Sequence, residues 1–242
     1  NRPIVVAVET LLNGASIGRL PWTRRYRRAL WESRLMPTRS IATAARSLGA
    51  DAPALITASA VGYYGSAPGS VLTESSPAGA TFLARLCVAW EAEALLAGPL
   101  VRVAMLRTAP VVHPEAVLKP LILLTRFGLG GRIGRGTQVW PWISLDDEVR
   151  AIRQVIDHDL SGPVNLSGPT PATAEELGRA VARALHRPFW LPVPEFALRL
   201  VLGSDAADSL LTTDADVRPA ALQASGFSFR HSTVAEAVDD AL

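Results

Sequence analysis

Short apolar, β-branched runs and longer amphipathic stretches alternate along this chain. The runs at residues 4–8, 54–60, 101–107 and 164–166 are too short for helices and predict strands. Between them, residues 37–48, 82–96, 145–156 and 173–185 place apolar side chains three and four apart and predict helices. Such alternation predicts an α/β fold, a doubly wound parallel sheet covered on both faces. Two helix starts are marked by hydroxyl caps: Ser144 precedes Asp146-Asp147, and Thr173 precedes Glu175-Glu176, where acidic groups complement the helix dipole. After Ser167 the pattern changes to the proline-containing run 187–194 and a short helical stretch at 196–202. That change predicts a smaller, mixed α/β C-terminal lobe.

One stretch does not suit a continuous parallel sheet. The strand at 4–8 runs into residues 9–13, which also read as a strand, with no turn signal between them. Parallel neighbours need a crossover of a dozen or more residues. A βαβ segment with a glycine-rich phosphate loop is therefore expected to be missing between Val8 and Glu9.

Composition narrows the class. With 242 residues, 49% of them hydrophobic, the chain can fill a substantial core. Every apolar run is interrupted before 18 residues, so no membrane-spanning helix is expected. The first residues lack the pattern of a signal peptide, and the single cysteine, Cys87, excludes an internal disulfide. Both fit a reducing, cytoplasmic setting. Net charge is only +2 and the basic pool is nearly all arginine, Lys119 being the one lysine. Arg24, Arg25, Arg27 and Arg28 could touch phosphates, but Trp22, Leu30, Trp31 and Leu35 accompany them at near-helical spacing. A solvated helix face is the better reading than a nucleic-acid site, because no second basic stripe accompanies them.

Chemistry concentrates at the end of the second predicted strand. Ile56-Thr-Ala-Ser-Ala-Val-Gly-Tyr-Tyr-Gly65 places Ser59 where ligands of open parallel sheets bind, with the phenols of Tyr63 and Tyr64 in the following turn. The stretch Ser59–Gly65, Phe82-Leu-Ala with Cys87 and Trp90-Glu91, and Leu106-Arg107-Thr108 occur in order along the chain. Phe127-Gly-Leu-Gly-Gly-Arg-Ile-Gly134, Trp142-Ile-Ser-Leu-Asp-Asp147, Gly162-Pro-Val-Asn-Leu166 and Gly226-Phe227 follow. In these blocks the sequence resembles the atypical extended short-chain dehydrogenases called sugar-nucleotide-epimerase-like, or cell-division-inhibitor-like.

The resemblance implies a Rossmann-type cofactor-binding core over residues 1–112, to which 143–166 return, and a smaller substrate-binding lobe from 113–142 and 167–242. It implies an oxidoreductase or epimerase-like enzyme using NADP in preference to NAD, acting on a nucleotide sugar or carbonyl compound. Asn13-Gly14 resembles the family's Asn-Leu-Ala-Gly loop beside the cofactor, here two residues short. Ser59, Arg107, Pro110 and Val111 are expected to complete the cofactor site; by position, Tyr63 or Tyr64 is the candidate acid or base with Ser59 as its partner, and Arg107 could stabilise an anion or hold a cofactor phosphate. Family members carry a Gly-x-x-Gly-x-x-Gly loop after the first strand, and none follows residues 4–8 here. Gly128–Gly134 follows a helix-like stretch and reads as a helix stop, not a phosphate loop.

A larger departure concerns catalysis. The wider superfamily uses a tyrosine whose pKa is lowered by a lysine four residues on. No such pair exists here: Lys119 follows Glu115, and residues 30, 67 and 68, four after the tyrosines, are Leu, Ala and Pro. The expected position carries Phe82-Leu83-Ala84-Arg85-Leu86-Cys87 instead. Two functional classes stay open on these grounds, an enzyme with a different acid or base and a catalytically silent cofactor-binding sensor or scaffold. Four dispersed histidines show no metal spacing. Cys87 among Leu83, Leu86 and Trp90 reads as a core thiol. Ser59 lacks a Gly-x-Ser-x-Gly elbow. Asp146-Asp147 read as a cap fixing the loop 138–144, and Trp140 and Trp142 either line a pocket or bridge the lobes.

Overall fold

The computed structural model describes residues 14–19, 22–192, 200 and 213–242. Along them, helix α1 (Arg24–Leu48) leads to β1 (Leu55–Ala60), β2 (Val71–Leu72), α2 (Phe82–Leu95) and β3 (Val103–Thr108). Then come β4 (Val111–Val112), α3 (Leu118–Arg126), β5 (Val139–Trp140), β6 (Ile143–Ser144), α4 (Leu145–Asp157) and β7 (Gly162–Leu166). The remainder holds β8 (Ala172–Thr173), α5 (Ala174–Ala184), β9 (Asp216–Val217), α6 (Ala220–Ala224) and α7 (Val234–Ala241). Asn13, the strands expected at 4–8 and 9–13, the break expected after Val8, and most of the helix expected at 196–202 lie outside the described residues.

Three strands, β1, β3 and β7, form a parallel sheet in the order β1-β3-β7. Alternation along β3 decides what covers each face. Val103 and Met105, with Leu55, pack on Ala42 and Ala45 of α1 and Ala94 of α2. Ala104 and Leu106, with Ile56, Val164 and Leu166, pack on Ala151 and Val155 of α4. The result is the expected α/β architecture, a parallel sheet with helices on both faces. Register brings Ser59, Arg107 and Asn165 side by side near the C-terminal edge.

Helix α1 starts at Arg24, 13 residues before the predicted boundary, and runs through Pro37. Proline removes one ladder hydrogen bond, and tertiary contacts override it. Thr23 caps the start by accepting from the Tyr26 N–H, and Leu30, Thr38 and Ala42 are buried. Trp90 Nε1 of α2 donates to Thr38 Oγ1 at 2.8 Å, one residue past the proline. Arg24, Arg25 and Arg28 face solvent, as the helix-face reading expects.

A second core joins Val112, Leu118, Trp140 and Trp142 to α5 and α7. The two tryptophans pack into this core: both are buried, and Trp142 Nε1 donates to Thr170 O at 3.0 Å. Both marked helix starts carry their caps. Thr173 and Glu176 form a reciprocal capping box, and Ser144 accepts from the Asp147 N–H. The chain from Gly128 is loop, tied by Trp190 N–H and Leu191 N–H to Gly130 O.

Asp147 does more than cap. Its buried carboxylate accepts from Ser144 Oγ, Arg150 Nη1 and the backbone N–H groups of Arg230 and His231. It thus ties the segment before α7 to α4 as well as to Ser144, the end of the loop 138–144. Removing a buried carboxylate with these partners strands several donors. Asp147→Ala is expected to lower stability by about 2–4 kcal/mol, read as a lower urea midpoint at unchanged m-value.

Candidate functional site

β1 ends at Ala60 and the chain turns through Val61–Tyr64 in a 3₁₀ turn closed by Gly65 at φ 64°. A segment crossing over it demands glycine: a Cβ on Gly79 would lie 2.2 Å from Tyr64 O, and Gly79 N–H donates to Tyr63 O at 2.9 Å. This turn delivers Ser59, Tyr63 and Tyr64 to the C-terminal edge of the sheet, beside Arg107 from β3.

The structure brings Ser59, Tyr64 and Arg107 together, but around a partner that the sequence reading left out of the site. Arg107 Nε and Nη2 donate to the two carboxylate oxygens of Glu91 on α2, each at 2.8 Å. Ser59 Oγ donates to Glu91 Oε1 at 2.7 Å. Arg107 Nη1 donates to Tyr64 OH at 2.9 Å, and that phenol donates to Asn165 Oδ1 at 2.7 Å. Asn165 Nδ2 then donates to Arg218 O at 2.9 Å. Ser59, Tyr64, Glu91, Arg107 and Asn165 are all buried.

This network employs its members structurally. Arg107 faces Glu91, not open solvent, which counts against its expected place on a cofactor phosphate. Burial alone would lower its pKa, but hydrogen bonds to Glu91 and Tyr64 outweigh that and hold it above the ordinary arginine value. Burial pushes the Tyr64 phenol upward against the opposing pull of Arg107, so the group stays protonated. With its proton on Asn165 and its oxygen accepting from Arg107, Tyr64 has no open role as acid or base. Ser59 likewise has its proton committed. Tyr63 differs: it is half-buried, its ring lies 3.5 Å from Arg107 Cζ, and its hydroxyl makes no hydrogen bond among the described residues.

The expected tyrosine and lysine positions are filled with apolar packing. Phe82 meets Trp22 at 5.4 Å between ring centroids, and Leu86 is buried with Leu30 and Leu83. Burial and neighbouring Glu91 push the Cys87 thiol up to about 12, as a core thiol requires.

Two further cofactor-site candidates, Pro110 and Val111, directly follow β3. Pro110 is exposed and Val111 half-buried just past β3, where Pro110 O accepts from Ile143 N–H at 3.2 Å. Gly14 opens the described loop 14–19, which packs through Ala15 against Leu83 and Leu86 of α2. A Cβ on Gly14 would sit 2.8 Å from Arg34 Cζ.

On the opposite face, Thr108 Oγ1 donates to Glu148 Oε1 at 2.9 Å, while Glu148 Oε2 is buried without a hydrogen-bond partner among the described residues. A cavity of ≈ 480 Å³ lies near α7, lined by Val112, His113, Ser144, Arg230, His231 and Asp240. Its Ser144 and His231, with the buried Asp147 behind them, superficially suggest a nucleophilic triad, since His231 Nδ1 is 2.9 Å from Ser144 Oγ. The Ser144 proton goes to Asp147 Oδ2 instead, and its oxygen also caps α4, so no activated nucleophile results.

Sequence reasoning missed Glu91, Asn165 and Glu148 as polar members of the core. An acidic residue in the otherwise apolar face Leu83, Leu86, Cys87, Trp90 was the available signal for Glu91. Asn165 within a strand run was a weaker one.

Comparison with known proteins places this geometry. The family model described as NAD dependent epimerase/dehydratase family matches residues 4–167, and a domain of unknown function, DUF1731, matches residues 193–241. Epimerase family protein ML0860 of Mycobacterium leprae is 42% identical over 241 residues, 97% of this chain and 77% of that protein. The chloroplastic epimerase family protein SDR39U1 homolog of Arabidopsis thaliana is 33% identical, over 90% of this chain and 63% of that protein. The crystal structure of human epimerase family protein SDR39U1 (isoform 2) with NADPH superposes with a TM-score of 0.88 at 27% identity, covering 95% of this chain and 79% of that one.

Two measurements test the electrostatics. Removing one partner of a buried ion pair leaves the other uncompensated. Glu91→Ala is therefore expected to cost about 3–5 kcal/mol in denaturant unfolding, whereas Tyr63→Phe leaves stability within about 0.5 kcal/mol. Burial pushes the Glu148 carboxyl up to about 7 from 4.5. Below pH 4.5 it is neutral folded and unfolded; between these values the unfolded chain loses the proton that the folded chain keeps. Its contribution to stability is thus full in acid, falls as pH rises toward 7 and levels off above. Glu148→Gln should remove that fall, gaining about 2–3 kcal/mol over the native chain at pH 8 and nothing at pH 4.

Proposed function

The chain belongs to the NAD dependent epimerase/dehydratase family, and on that premise we propose that it is an NADP(H)-binding oxidoreductase of the atypical extended short-chain dehydrogenase type. Its substrate is a nucleotide sugar or carbonyl compound held between the sheet edge and the lobe formed by 113–142 and 167–242. The observation that supports the reading is that the Ser59–Tyr64 turn and Pro110–Val111 follow the C-terminal ends of the parallel strands β1 and β3, the edge where this architecture receives dinucleotides. The human relative whose structure contains NADPH supports the choice of cofactor.

The described residues fit such a group at the Gly14 turn, where the backbone has no side chain and rests against a guanidinium. Gly14, Ser59, Pro110 and Val111 would hold it, Asn13 with them. A nicotinamide bound there supplies or accepts hydride. Tyr63, whose hydroxyl makes no hydrogen bond among the described residues, moves the proton at the substrate oxygen. Ser59 Oγ, with its own proton on Glu91, accepts a hydrogen bond from a substrate hydroxyl. Arg107 holds the Tyr63 ring and Glu91 in place and bears on the chemistry through them.

A second reading is a catalytically silent NADP(H)-binding sensor. It is favoured by the commitment of Ser59 and Tyr64 to the buried network and by the apolar packing at Phe82 and Leu86.

NADPH at saturating concentration is expected to raise the melting temperature more than NADH does, because a ligand of the native state stabilises by mass action. With carbonyl compounds and nucleotide sugars, hydride transfer from NADPH is expected, and Tyr63→Phe should slow it about 100-fold with NADPH affinity unchanged. Stabilisation without turnover selects the sensor. No stabilisation by either nucleotide overturns both readings.

A further inference from the structure

Arg34 is the anomalous cation of this edge. Arg39 on the same helix pairs with Glu93 of α2, and Arg107 on β3 pairs with Glu91 of α2. Arg34 is half-buried between α1 and α2, yet no carboxylate pairs with it among the described residues. Its Nη1 donates to Leu30 O and its Nη2 to Ala15 O, both at 3.1 Å, and its Cζ lies 5.4 Å from the Trp90 ring centroid. Burial lowers its pKa, while the Cys87 thiol and Tyr26 phenol offset this in part. A desolvated charge held only by carbonyl dipoles is costly unless a counter-charge arrives.

The surroundings show where that counter-charge would come from. Ser33 Oγ accepts the Ala15 N–H at 3.0 Å and donates to Leu30 O at 3.2 Å. Ser33 and Arg34 therefore grip both the N–H and the C=O of Ala15 and press the Gly14 turn against the guanidinium. Any side chain at residue 14 would strike Arg34 Cζ. Among the described residues the guanidinium keeps N–H groups without an acceptor, and its planar fork matches a phosphoryl group in two-point contact.

We propose that Arg34 is an anion-recognition residue whose guanidinium, fixed against the Gly14–Ala15 turn, receives a phosphoryl group of the nucleotide ligand. This rests on the reading that a nucleotide occupies this sheet edge. Two ligands could bring the phosphoryl group, the dinucleotide cofactor or a nucleotide substrate.

Calorimetric titration of the native chain, Arg34→Met and Arg34→Lys at two salt concentrations tests it, using NADPH, UDP added to the NADPH-saturated protein, and inorganic pyrophosphate alone. If the cofactor supplies the anion, Arg34→Met weakens NADPH binding about 10- to 100-fold. Arg34→Lys then recovers part of the loss, and the salt sensitivity of binding shrinks in Arg34→Met. Native NADPH affinity with weakened UDP binding assigns the anion to the substrate. Native affinity for all three probes in Arg34→Met overturns the proposal, as does a loss equal at both salt concentrations, which marks a role in loop structure alone. If the native chain binds neither NADPH nor NADH, the proposed function fails separately. Pyrophosphate then decides: binding by the native chain that Arg34→Met loses supports the anion site, and an equal or absent response overturns it. Should Arg34→Met not fold, Arg34→Lys carries the same comparisons, since it keeps the charge without the planar fork.

Discussion

A guanidinium at the end of a central strand, buried between a sheet and a helix, must be neutralised where it stands. Arg107 meets this requirement through both oxygens of Glu91, which arrives from α2. Other features of the edge follow from that pair. Ser59 turns its hydroxyl to the same carboxylate, and Tyr64 bridges the guanidinium to Asn165, so β1, β3, β7 and α2 are joined by one chain of hydrogen bonds. Desolvation makes each member costly to remove and limits each to few geometries.

The same pair separates the two tyrosines of one turn. Tyr64 is buried and has both hydrogen-bonding roles filled, whereas Tyr63 sets its ring against Arg107 and its hydroxyl makes no hydrogen bond among the described residues. Adjacent residues thus reach opposite chemical situations, one as a strut and one as a group able to exchange a proton. Helix α1 completes the arrangement: Trp22 and Leu30 pack on Phe82, Leu83 and Leu86, where the superfamily's tyrosine and lysine would stand. The absent pair is an apolar contact between helices rather than a polar gap.

Much of the scaffold was legible in the sequence because it follows local rules. Strand and helix order came from hydrophobic period, and Ser144 and Thr173 mark their helices through short-range capping. The helical face at 22–35 and the helix from Pro37 were read as separate because proline is a local breaker, and the contacts that overrule it, Leu30 with α2 and Trp90 with Thr38, are tertiary. Asp147 was recognised as a helix-start residue, but its hold on Arg230 and His231 crosses more than 80 positions and leaves no local trace.

The sequence by itself determined the α/β order, the family and the lack of any Tyr-x-x-x-Lys pair, since each of these is written in residue identity and short spacing. Only the tertiary structure decided which polar groups are free. Ser59 and Glu91 are 32 positions apart and Tyr64 and Asn165 are 101 apart. Whether a serine, tyrosine or arginine is a reagent or a strut depends on the partner that desolvation forces upon it, and that partner is chosen by the packing of the sheet against α2.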